Sequence, residues 1–158
     1  MEIFKTTNFF LKDFKEIFST GILGKEGGFE KFLNDKKINN SGENWDEDHS
    51  QVDWKKIEKH YQFFFDYVDN EIEISDWLKE SKLTQYEFVF TWLSWDDPII
   101  KVKTTEFIEN WNNVYMASVE GMVLTTSDGK LVLEFTDDYK YNLNSNFEIK
   151  QNSLKKTV

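Results

Sequence analysis

Hydrophobic positions along this chain recur with two different periods, and the change from one to the other falls within residues 104–149. There Phe107, Ile108, Trp111, Val114 and Tyr115 keep the spacing of one helix face, which predicts a helix with Thr104 or Thr105 as its N-cap. Beyond it the period shortens. Residues 119–124 and 130–135 are rich in Val, Leu and Phe and flank a turn in which Asp128-Gly129 supplies the positive φ of a tight hairpin. Asp137-Asp138 then makes a second turn, and Tyr139, Tyr141 and Leu143 alternate with Lys140 and Asn142 as a third strand would. The rest of the chain reads as cover for this helix and β-meander.

Upstream, Phe10, Leu11, Phe14, Ile17 and Phe18 keep helical spacing up to Gly21, and residues 29–33 predict another helical turn or two. Ser50 followed by Asp53 resembles a capping box. Trp54, Ile57, Tyr61, Phe64, Phe65 and Val68 then recur at threes and fours, predicting a helix over 51–68. Residues 69–74 alternate, but Ser75-Asp76-Trp77 looks like a capped helix start, so a turn and then a short helix are expected. In residues 86–95, Tyr86, Phe88, Phe90 and Trp92 point one way and Val89, Thr91 and Leu93 the other. Both faces are apolar, so this is an inner strand. Pro98 turns the chain into a further strand at 99–103, residues 35–50 form a loop, and residues 151–158 a frayed polar tail. The expectation is one α+β domain over residues 1–150, with N-terminal helices packed on a mostly antiparallel sheet of strands 86–95, 99–103, 119–124, 130–135 and 139–143.

A length of 158 residues suits one domain with a sizeable core, and 15 Phe, 6 Trp and 6 Tyr make that core aromatic. The formal charge, 19 − 29 = −10, repels phosphate backbones and anionic lipid and attracts basic protein surfaces. Nucleic-acid and membrane partners are therefore disfavoured. No run approaches the ~20 apolar residues of a membrane span, and the absence of cysteine removes disulfides, thiolate metal sites and cysteine nucleophiles. The N-terminus lacks the basic and apolar regions of a secretory signal, so a cytoplasmic location is expected.

Few patterns carry chemistry. The glycines at 21, 24, 27 and 28 lack the GK[ST] ending of a phosphate loop. Asp46, Asp48 and Ser50 have calcium-loop spacing, but Gln51 stands where such a loop needs glycine and Ile57 where it needs glutamate. His49 and His60 have no histidine three or four residues away, so no cofactor or metal is expected. Converging carboxylates working with His60 would make a small hydrolase or metal enzyme; self-association as a scaffold is another alternative. Acidic clusters also occur at Asp66, Asp69, Glu71 and Glu73, and others lie beside aromatic residues. Trp45 with Asp46 and Asp48, Trp95 with Asp96 and Asp97, and Tyr139 with Asp137 and Asp138 combine contact area with steering charge and are the expected partner-binding residues.

The segments Phe107-Ile108-Glu109-Asn110-Trp111, 127–138 and Ser145-Asn146-Phe147, in a small acidic cysteine-free chain, resemble the immunity proteins that accompany bacterial polymorphic and contact-dependent toxins. That resemblance covers about a third of the chain, and such proteins span many folds. It implies a non-enzymatic role, the occlusion of a basic cognate toxin, and assigns no functional residue.

Overall fold

Alternating side chains in the strands at 88–92, 100–103, 122–126, 132–135 and 143–145 build a sheet with a helical layer on one face and a second layer over part of the other. The computed structural model describes residues 22–23, 29–38, 50–66, 68–92, 99–118, 121–138 and 140–149. Among the described residues seven strands, β1 (Ile22–Leu23), β2 (Tyr61–Phe63), β3 (Phe88–Trp92), β4 (Ile100–Lys103), β5 (Met122–Thr126), β6 (Val132–Phe135) and β7 (Leu143–Ser145), form one antiparallel sheet ordered β1-β4-β3-β5-β6-β7-β2. The fold is α+β. Strand β3 is interior, flanked by β4 and β5, as its two apolar faces require.

Register separates the faces. Val89, Val102, Leu124, Leu133, Phe135 and Leu143 join the larger core with helices α2 (Glu71–Glu80) and α3 (Thr104–Ala117). Within it Trp111 stacks on Phe135 at 5.4 Å, Phe65 meets both rings edge-on, and Trp77 stacks on Phe147 at 5.6 Å. The indole N–H groups of Trp111 and Trp77 donate to Ser75 Oγ and Glu148 O, at 2.8 and 3.2 Å, so these large rings are buried without stranding a donor. On the opposite face Trp92, Val123 and Val132 meet Leu33 of α1 (Phe29–Asp35), Ile38, and the chain at Val52 and Trp54. The Lys36 ammonium donates to Ser127 O, tying the end of α1 to the hairpin turn.

Four local expectations are corrected. Residues 51–68 form no helix: a single 3-10 turn, Trp54–Lys56, leads into strand β2. Ser50 fails to cap because its hydroxyl donates to Val52 O and contacts Glu134, and Phe63 and Phe65 are buried either side of exposed Phe64, a period of two rather than 3.6. Ser75 starts no helix; α2 begins at Glu71, and Ser75 is the partner of Trp111. Thr104 is the first residue of α3 rather than a side-chain cap, its hydroxyl donating to Tyr86 O at 2.6 Å. The last meander strand lies at Leu143–Ser145 instead of 139–143, because Asp138 Oδ1 accepts the N–H groups of Lys140 and Tyr141 and holds that stretch as a turn. The expected helix at 8–18 and the tail at 151–158 lie outside the described residues.

Two glycines are fixed by close approach. Gly129 has φ +71 in the hairpin turn, and Gly121 has φ +90 with an imagined Cβ only 2.2 Å from Phe135 O. Replacing Gly121 by Ala is expected to cost roughly 1–3 kcal/mol, measured by urea unfolding. An unchanged midpoint would contradict the close β5–β6 approach at this point.

Candidate functional site

Strand β6 carries one acid among apolar neighbours, in Val132-Leu133-Glu134-Phe135. Alternation directs Leu133 and Phe135 to the helical core, so Val132 and Glu134 face the second layer. Glu134 is 1% exposed, and the chain at 50–54 wraps round its carboxyl. Gln51 N donates to Oε2 at 2.7 Å, Trp54 Nε1 donates to Oε1 at 2.8 Å, and the Ser50 hydroxyl contacts Oε1. Gln51 extends the link sideways: its Oε1 accepts from Trp92 Nε1 at 2.9 Å, while its buried Nε2 finds no acceptor among the described residues.

Burial pushes the Glu134 carboxyl up to about 7, although the contacts with Ser50, Trp54, Gln51 and Val52 pull the other way. Proton counting agrees with the direction. Ser50 has one hydroxyl proton and two acceptors within reach, Val52 O at 2.8 Å and the carboxyl. When Glu134 is a neutral acid, its own proton goes to Ser50 Oγ and the Ser50 proton to Val52 O. Ionisation forces Ser50 to choose.

Beside this buried contact opens a cleft of about 490 Å³. Its floor comes from the row that continues past Glu134 across the sheet, Asn144 on β7 and its register partner Gln62 on β2. One wall is Trp54 with His60 stacked on it at 4.7 Å and 14°. Asn144 Oδ1 accepts from His60 Nε2 at 2.9 Å and from Gln62 Nε2 at 3.4 Å. Across the cleft stand Thr136, Asp138, Lys140 and Tyr141 of the β6–β7 turn.

The expected site residues therefore fare differently. Asp138 lines this cleft, whereas exposed Asp137 borders a second, smaller depression beside Tyr115, Met116 and Gly121. Trp45, Asp46, Asp48, Trp95, Asp96, Asp97 and Tyr139 lie outside the described residues. His60 Nε2 meets an amide oxygen, and among the described residues no group of three or more His, Asp or Glu side chains could hold a metal ion. Nor is any helix among them long and apolar enough to cross a membrane.

A separate surface feature was not anticipated. Among the described residues the exposed large hydrophobics are Tyr61, Phe64, Val68, Ile72, Met116 and Tyr141, and the first four fall between β2 and the first turn of α2. Asp66 organises the tight bend between them, its carboxylate accepting the N–H groups of Val68 and Asp69. Exposed Asp66, Asp69 and Glu71 interleave with these apolar residues. No protein-family model matches the chain, and comparison with curated proteins and solved structures finds no match.

The neutral-acid state of Glu134 makes a signed prediction. Its folded pKa lies above its ordinary 4.5, so the stability it contributes is full below 4.5 and is lost as pH rises through about 7. Relative to a Glu134→Gln variant, wild type is expected to lose on the order of 3 kcal/mol between pH 4 and pH 8 in denaturant unfolding. A difference that stays constant, or that grows with pH, would contradict the protonated form.

Proposed function

We propose that the protein is a non-enzymatic binding module that recognises a basic protein surface, an inhibitor or immunity-type role in which this acidic body covers its partner. The observation carrying this reading is the set of exposed apolar residues Tyr61, Phe64, Val68 and Ile72. Phe64 is 39%, Val68 69% and Ile72 75% exposed, apolar side chains turned to solvent within one short stretch of a chain with a net charge of −10. Apolar side chains that can be desolvated supply affinity, and the acids between them supply steering and register. Charge also bears on the choice of occupant. Two copies of this chain would bring like charges together, whereas a basic partner gains from the same field. The acidic turn at Asp137 and Asp138 adds to that field, and the resemblance to toxin immunity proteins points the same way.

A photoreactive residue placed at position 64 or 72 in the native cell is expected to cross-link a basic protein. Purified, that protein should bind about tenfold more weakly when salt is raised from about 50 to 500 mM, and at least about tenfold more weakly to a Phe64→Ala/Ile72→Ala variant. Binding that ignores both salt and the double substitution would sink the reading.

A further inference from the structure

We propose that the cleft beside Glu134 is a binding site for a small neutral polyhydroxylated molecule, a mono- or disaccharide. The sheet face beneath the second layer changes character part-way across. Trp92, Val123 and Val132 are apolar and covered by the second layer, but Asn144 and Gln62 continue the same face as amides and open into the cleft. Asn144 is only 5% exposed, and its oxygen is used twice, by His60 and by Gln62. Its amide nitrogen has no protein acceptor among the described residues. A fold needing only a second layer would place an apolar side chain here.

The groups round the cleft select the ligand. Beyond the contacts already made, Asn144 keeps amide N–H groups to donate and His60 its second ring nitrogen, while Gln62 and the Tyr141 hydroxyl can each donate and accept, a mixture that suits hydroxyls that do both. The rings of His60 and Tyr141 offer planes for the C–H face of a sugar. Charged ligands are served less well. A cation would find one carboxylate, Asp138, already accepting two backbone N–H groups. An anion would find two lysines, Lys55 and Lys140, the latter drawn over the Tyr141 ring at 5.4 Å, but on a body of charge −10 that opposes its approach. A volume of about 490 Å³ lies within the range of small-ligand pockets.

The test uses the full chain without any protein partner, so its outcome is independent of the proposed inhibitor role. Glucose, N-acetylglucosamine and sucrose are titrated while the side-chain amide signals of Asn144 and Gln62 and the His60 ring signals are followed by NMR. Saturable shifts confined to these groups are expected for at least one sugar, with a dissociation constant on the order of millimolar. Gln62→Ala and Tyr141→Ala, both exposed positions, are each expected to weaken it about fivefold while the melting temperature stays unchanged. The proposal fails if no sugar saturates by about 50 mM, if citrate or inorganic phosphate is the only binder, or if neither substitution alters the sugar response.

Discussion

A carboxyl group sealed between two layers is the contact on which this architecture depends. Glu134 sits on β6, where β5 and β7 pair on either side, and the chain at 50–54 has folded onto it. Removing a carboxyl from water is costly unless it is neutral or fully hydrogen-bonded. Here both remedies operate. Ser50, Gln51 and Trp54 surround the group, and burial raises its pKa to about 7, so that the proton stays on below neutral pH. The carboxyl thereby positions Gln51 against Trp92 and Trp54 against His60, so the second layer is located by polar geometry as much as by apolar burial.

The two faces of the sheet consequently do different work. The helical side is a dense aromatic core, with Trp111, Phe135, Phe65 and Trp77 buried in ring contacts and both indoles satisfied. Packing of that kind leaves no room for a ligand and sets the backbone rigidly. The other side is apolar over β3, β5 and the start of β6, then turns polar from Glu134 outward. The cleft arises at that change. The exposed apolar residues and the cleft lie on elements held by this one frame: β2 contributes Gln62 to the cleft floor and exposed Tyr61, and Asp66 orders the turn that leads on to α2.

Elements with strong local periodicity and agreeing tertiary context were legible from the amino-acid order: α3, the β5–β6 hairpin with Gly129, and β3 as an inner strand. The failures share a cause. Residues 51–68 carry a helical period in Trp54, Ile57, Tyr61, Phe64 and Val68, but Glu134, some eighty residues away in the chain, holds Ser50, Gln51 and Trp54 in a non-helical arrangement. Local propensity loses to one long-range polar contact. Ser75 was misassigned for the same reason, its hydroxyl being claimed by Trp111. Of the site, Asp138 was visible as a turn acid and His60 as a candidate partner for carboxylates, yet Asn144, the amide that His60 meets, was not, since only strand register brings it there. One signal was available: an acid at an inward phase of a central apolar strand is costly enough to demand a partner, and Glu134 was that residue.

Glu134 itself can be watched directly. Carbon-13 labelling of the glutamate side chains followed by NMR titration reports the ionisation of each carboxyl in the folded protein. The account predicts that the Glu134 signal shifts with a midpoint near 7, well above its ordinary 4.5. A midpoint at or below 4.5 would show an ionised carboxylate throughout, and the neutral contact that holds the second layer would have to be abandoned.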